Sequence, residues 1–222
     1  GFLDPSGSLG RRFGSLGLVI EGFETAVSLS IADRDVCSGG IDVPPADVER
    51  ARSSLERLRE HTGLARPLHL RVERALPAHA GFGSGTQLAL AVGRAFACLH
   101  GLELPTPQLA QWLLRGHRSG IGIAGFDGGG LLVDGGPRAD GQPAPLLARI
   151  ELPAAWRVIV VRDNALQGLA GTREAQAMAE LAPMPREIAA DICHQALMRV
   201  LPGAAGAEFT PFACGITKIQ RR

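Results

Sequence analysis

Pro77-Ala78-His79-Ala80-Gly81-Phe82-Gly83-Ser84-Gly85-Thr86 runs directly into the apolar Gln87-Leu88-Ala89-Leu90-Ala91-Val92-Gly93-Arg94-Ala95-Phe96-Ala97. Glycines at 81, 83 and 85 allow a tight turn and close backbone approach to a ligand, and the run behind them predicts a helix. The first amides of such a helix lack internal partners and carry partial positive charge, so the turn reads as an anion site best suited to phosphate. Ser84 and Thr86 add hydroxyls able to bond a phosphate oxygen or sit on a magnesium ion. The lysine of other phosphate loops is absent. The plainer reading is a helix after a flexible turn, with Ser84 or Thr86 as its cap.

Leu68, Leu70 and Val72 alternate with His69, Arg71 and Glu73, the period of a half-exposed strand that delivers the chain to this loop. Upstream, residues 16–20 and 24–31 read as two strands joined at Gly22 into an antiparallel pair. Val48, Ala51, Leu55 and Leu58 share one face of an amphipathic helix over 48–60. Downstream, the loop helix is expected to end near His100-Gly101. Thr106-Pro107 is expected to start another, with Thr106 as cap, running to about Arg115. The glycine-rich segment 120–136 is expected to hold strands, and 156–161 to be a buried strand. Helices follow at about 172–181 and 186–201. A single domain boundary is expected near residue 150, giving an amino-terminal domain over 1–150 and the start of a second over 151–222. Strands and helices interleave without regular alternation, which favours an α+β architecture.

With 222 residues, 45% of them hydrophobic, the chain is long enough for one large or two small domains with an ordinary core. A net charge of +1 gives no electrostatic footprint for nucleic acid, and a small anion needs only a local cluster. No apolar run approaches the ~18 to 20 residues of a membrane span, so a cytoplasmic protein is expected. Cys37, Cys98, Cys193 and Cys214 are widely spaced and suggest neither a zinc site nor a disulfide framework. The only lysine is Lys218, which argues against pyridoxal phosphate, whose Schiff base needs an internal lysine. The first residue is not Met and the last segment reads as a continuing element, so an excerpt of a longer protein is expected.

Pro77-x-x-x-Gly81-x-Gly83-Ser84 resembles the second motif of the GHMP kinase superfamily, whose members cradle nucleotide phosphates on such a loop. The longer wording from Gly81 to Ala91 is similar to one branch, the beta-ribofuranosylaminobenzene 5'-phosphate synthases of methanopterin biosynthesis. The stretch from Gly1-Phe2-Leu3-Asp4-Pro5 through Arg11-Arg12-Phe13 to Gly17 is similar to the amino-terminal signature of that branch. Residues 118–136 resemble its second glycine-rich segment, and residues 168–174 match more weakly. The resemblance implies a GHMP-kinase-like two-domain fold, with a loop-bearing amino-terminal domain and a ferredoxin-like second domain. The family's third glycine-rich motif has no counterpart here, so the second domain is expected to be incomplete.

The resemblance further implies condensation of 4-aminobenzoate with 5-phosphoribosyl diphosphate, with loss of carbon dioxide and diphosphate. The cofactor implied is magnesium, on Ser84 and Thr86. Expected partners are these small molecules, with a homodimer as one allowed assembly. Asp4 and Arg11 match residues implicated in catalysis. Arg11 could hold a phosphate or carboxylate, and Asp4 could orient substrate or move a proton, against the plainer reading of a loop salt bridge. Gly81, Gly83, Ser84, Gly85 and Thr86 are the phosphate-binding candidates. Ser8, Arg12, His79 and Asp127 are secondary candidates, Asp127 for a metal or a ribose hydroxyl or merely as a turn residue. The rivals are an ATP-dependent small-molecule kinase on the same fold and a ligand-binding fragment without turnover.

Overall fold

The computed structural model describes residues 2–5, 7, 10–78, 80–138, 140, 142–163, 168, 176–177 and 180–221. It divides into two compact units, one of residues 1–20, 117–165 and 169–222, the other of 21–116 and 166–168. The units interleave along the chain, where the sequence reading places a single division near residue 150.

The unit of residues 21–116 carries the glycine-rich loop. Its sheet has the order β3 (Ala26–Ile31), β5 (Leu68–Arg74), β4 (Val36–Gly39), with β3 antiparallel and β4 parallel to β5. Between β4 and β5 runs α1 (Pro45–Thr62), the crossover that a parallel pair requires. Leu68, Leu70 and Val72 are fully buried while their odd-numbered neighbours face outward, as the alternation predicts. Ala51, Leu55 and Leu58 bury the expected face of α1. The chain leaves β5, turns through the loop and enters α2 (Ser84–His100), ended by Gly101 in the left-handed conformation. Leu88, Leu90, Val92 and Phe96 anchor α2 in the core. The short α3 (Thr106–Trp112) is capped by Pro105 rather than Thr106, whose hydroxyl instead accepts a hydrogen bond from Arg94 Nη2 at 2.8 Å.

The other unit is a four-stranded antiparallel sheet in the order β1 (Phe2–Asp4), β2 (Phe13–Leu18), β6 (Leu131–Asp134), β7 (Leu146–Ile150). On it lie α4 (Ile121–Asp127) and a carboxy-terminal run of α5 (Arg186–Gln195), a π-helical segment (Ala196–Val200), α6 (Leu201–Ala205) and α7 (Phe209–Gln220). Leu131, Val200 and Ala204 form its buried centre, with Leu16, Leu18 and Phe212 packed around them.

Three expectations are corrected. The strands at 16–20 and 24–31 do not pair: β2 joins β1 and β6, and β3 joins β5. Gly22, at φ +86°, connects two sheets rather than closing a hairpin. The segment 120–136 holds the strand β6 as expected but opens with the helix α4, which packs closely at Gly17 of β2, against Ile121, and at Gly125 of α4, against Val19. Residues 156–161 are irregular, with Ile159 86% and Val161 91% exposed. A strand is stable only on a ladder, and among the described residues none pairs with this segment. Trp156 packs its ring against Phe209 and Phe212 of α7. The helix expected at 172–181 lies mostly outside the described residues, whereas that at 186–201 is present as α5 and its continuation.

Asp35, just before β4, accepts a bidentate pair from Arg59 of α1 at 3.0 and 2.6 Å and the Leu68 N–H of β5 at 2.9 Å. Those bonds, led by the Arg59 guanidinium, lower its pKa to about 2. A depressed carboxyl contributes stability that is present above its unfolded pKa and is lost as pH falls through the folded one. Between about pH 4 and pH 2 the wild-type protein should therefore lose stability more steeply than Asp35→Asn, measured by urea denaturation. Parallel acid limbs would contradict the clamp.

Candidate anion site and its surroundings

The glycine-rich turn is built by backbone conformation. Gly81 and Gly83 take φ +78° and +66°, a region that L side chains rarely adopt. Gly83 is the residue before α2, and it has no side chain to cap the helix. Its carbonyl receives the N–H groups of Thr86 at 2.9 Å and Gln87 at 3.0 Å, which start the helical ladder. The amides of Ser84 and Gly85 precede that ladder and must find acceptors outside the helix. Ser84 and Thr86 therefore do not cap the helix; they stand half-buried in its first turn, hydroxyls beside these amides. Phe82, between the two left-handed glycines, stacks on Phe23 with ring centroids 4.6 Å apart. That contact pins the tip of the loop to the start of the unit.

The predicted residues Gly81, Gly83, Ser84, Gly85 and Thr86 thus converge on one turn. His79 and Ser8 lie outside the described residues. Sequence reasoning missed two arginines beside this turn. A first side-chain carbon built on Gly85 would stand 3.7 Å from Arg115 Nη1 and 3.9 Å from Arg50 Nη1. Arg50 stands on α1 outside its apolar face, and nothing in the sequence links it to the loop. Arg115 had been read as the end of α3, but the helix stops at Trp112 and Leu114 turns the chain at φ +54°.

Asp4 and Arg11 belong to the other unit. Asp4 pairs with Phe13 across the β1–β2 ladder, so both candidates lie on the single hairpin whose loop is residues 5–12. The Asp4 carboxylate is nearly buried and accepts the Gly7 N–H at 3.0 Å. Close by on α5, the Cys193 thiol has its pKa raised, first by burial and then by the charge of Asp4. Arg11 is exposed, so its guanidinium is open to an anion. Arg12 is committed to the loop itself, its Nε donating to the Pro5 carbonyl at 3.2 Å. The loop closes on Phe13, a bulky residue held at φ +70°, an uncommon backbone state that only a well-determined surrounding sustains. Asp127 is exposed at the last position of α4.

A further carboxylate, Asp134, was not singled out from sequence and is fully buried at the end of β6. Its Oδ2 accepts Ser119 Oγ at 3.0 Å and Gly120 N at 2.9 Å, and its Oδ1 accepts Gly136 N at 2.8 Å. It thereby fixes the start of α4 and the Gly135-Gly136 turn, whose Gly136 lies against the Arg12 and Gly14 backbone. The signal for it was Leu131-Leu132-Val133-Asp134-Gly135-Gly136, an acid closing an apolar strand.

Among the described residues no three acidic, histidine or cysteine side chains gather to hold a metal ion, and no helix is long and apolar enough to cross a membrane. The first turn of α2 carries no acidic residue, so the oxygens it offers a magnesium ion are the Ser84 and Thr86 hydroxyls, with the rest of the shell to come from water and substrate phosphates.

Residues 49–130 match the family model of the GHMP kinases' amino-terminal domain. The chain is 36% identical to the Beta-ribofuranosylphenol 5'-phosphate synthase of Archaeoglobus fulgidus, over 98% of this chain and 71% of that protein. It is 30% identical to the enzyme of the same name from Methanothermobacter thermautotrophicus, with the same coverages. In fold it is similar to the crystal structure of Streptococcus pneumoniae phosphomevalonate kinase, with a TM-score of 0.65 at 10% identity over 94% of this chain and 71% of that one. The chain belongs to this synthase family, a branch of the GHMP kinase superfamily with an α+β fold.

Removing the Asp134 carboxylate strands three buried or part-buried donors. Asp134→Ala should cost on the order of 3 kcal/mol in urea denaturation, against less than about 1 kcal/mol for Asp127→Ala. Equal losses would show that Asp134 is not a structural centre.

Proposed function

We propose that the parent protein joins a para-substituted benzoate to 5-phosphoribosyl diphosphate, with loss of carbon dioxide and diphosphate. The observation that carries this is the uncapped first turn of α2, a candidate anion site, in a chain of this synthase family. With 4-aminobenzoate as acceptor the product is 4-(beta-D-ribofuranosyl)aminobenzene 5'-phosphate, a precursor for methanopterin.

The para substituent pushes electron density onto the ring carbon that bears the carboxylate. That carbon attacks ribose C1 while the C1–oxygen bond to diphosphate breaks with its electron pair. The bond to the carboxylate then breaks, carbon dioxide leaves, and its electrons restore the aromatic ring. No proton is consumed and the ring is the electron sink, so pyridoxal phosphate is not needed. The protein's work is to orient both substrates and to stabilise charge building on the departing diphosphate. Ser84 and Gly85 amides and the two hydroxyls supply donors at that point. Magnesium, held by Ser84 and Thr86, would supply neutralising charge to the phosphates. By the family resemblance, Arg11, exposed on the hairpin between β1 and β2, would bind a carboxylate or a phosphate. Asp4, held by Gly7, would orient the substrate from the base of the same hairpin.

The relatives are named for a ribofuranosylphenol product rather than a ribofuranosylaminobenzene. The same ring chemistry with a hydroxyl in place of the amine makes 4-hydroxybenzoate the second acceptor to test.

Carboxyl-labelled 4-aminobenzoate and 4-hydroxybenzoate should each be incubated with the full-length parent, 5-phosphoribosyl diphosphate and magnesium, and released carbon dioxide counted. Release that requires the diphosphate co-substrate is expected, and the faster acid identifies the acceptor. No release from either acid with folded protein, together with metabolite-dependent ATP hydrolysis, would replace this reading with a kinase. Ser84→Ala should lower the release rate about 10-fold or more.

A further inference from the structure

Beside the glycine-rich turn is a cleft of about 310 Å³ lined by Arg50 and Arg57 of α1, Arg115, Glu49, Ser53 and Leu113. Its charges are unusual in how little opposes them. Glu49 is engaged with Arg52 at 3.2 Å. Arg50 gives one terminal nitrogen to the Asp47 carboxylate, while its Nη1 is the atom facing Gly85. The Nε atoms of Arg50 and Arg115 are buried without a hydrogen-bond partner. Arg115 has its pKa lowered, first by burial and then by the positive charges of Arg50 and Arg57. By contrast, in the cleft on the other side of β5, Arg71 is paired with Glu73 and Arg74 with Glu24, both at 2.8 Å.

Three guanidinium groups gathered against one another cost stability unless an anion joins them. Arginine is suited to receive a phosphate group, because its planar fork can donate two parallel hydrogen bonds to one set of oxygens. The placement of Nη1 of Arg115 and of Arg50 beside Gly85 makes this cleft continuous with the first turn of α2. An anion held by the turn amides would therefore have the Arg50 and Arg115 guanidinium groups beside Gly85 as further donors.

We propose that Arg50, Arg57 and Arg115 form a second phosphate subsite, contiguous with the α2 turn, so that this unit selects condensed phosphates over single ones. The ligand class is a diphosphate arm, and the inference rests on reading the turn as a phosphate site. Two sources share that chemistry: a ribosyl diphosphate and a nucleoside triphosphate.

The test is calorimetric titration of the full chain with inorganic phosphate, inorganic diphosphate, 5-phosphoribosyl diphosphate and ATP. Wild type, Arg115→Met and Arg57→Met are compared, each with a thermal melt. Methionine keeps an apolar stem and removes the charge. Diphosphate should bind wild type at least tenfold more tightly than phosphate, and Arg115→Met should abolish that preference with a Tm no lower than wild type. A purely structural Arg115 would instead lower the Tm. Arg57 is exposed, so Arg57→Met keeps the fold and should weaken diphosphate several-fold. Equal wild-type affinity for phosphate and diphosphate, or an unchanged preference in both variants, overturns the subsite. Arginine-dependent binding in which ATP outcompetes the ribosyl diphosphate upholds the subsite and overturns the synthase reading.

Discussion

A helix that begins without a side-chain cap leaves its first amides in need of an acceptor, and everything about the start of α2 follows from that need. Gly83 can adopt the left-handed conformation that opens the helix but has nothing with which to close it. The amides are kept in place from both sides: β5, buried through Leu68, Leu70 and Val72, leads into the turn, and Leu88, Leu90 and Val92 hold the helix behind it. Phe82 on Phe23 stops the tip from folding back. The result is a fixed set of donors with no acceptor inside the helix, the pre-organisation that the proposed diphosphate site would use.

The two units treat buried charge in opposite ways. In one, the Asp134 carboxylate is fully enclosed yet receives three donors, so its charge is spent on holding the α4 entrance and the Gly135-Gly136 turn. In the other, Arg115 is desolvated among further arginines with Nε unpartnered. The first pattern is that of a structural charge; the second is the charge arrangement behind the phosphate subsite proposed for Arg50, Arg57 and Arg115.

Much of the loop-bearing unit was legible because its signals are local. The two-residue alternation of β5, the apolar face of α1 and the glycine punctuation around α2 each state their structure within a dozen residues. Pairing between strands was less legible: β2 and β3 are neighbours in sequence, yet a turn at Gly22 carries no information about which sheet each joins. The segment 156–161 has a strand's composition, but composition cannot supply a ladder partner. The helix α4 hid behind glycines, whose function is to let it approach β2 at Gly17 and Gly125. The site divides in the same way. The turn residues could be read from spacing, whereas Asp4 and Arg11 rest on resemblance alone. Arg50 and Arg115, 65 residues apart in sequence, meet at Gly85 only because α1 and the chain beyond α3 fold to the same end of α2.

The central claim is that the first amides of α2 hold the diphosphate of the substrate. Nitrogen-15 labelled protein titrated with 5-phosphoribosyl diphosphate and magnesium reports on those N–H groups individually. The account predicts the largest saturable downfield proton shifts at Ser84 and Gly85, as charge-assisted hydrogen bonds form there. Saturable binding that leaves these two amides unmoved while shifting others would contradict it.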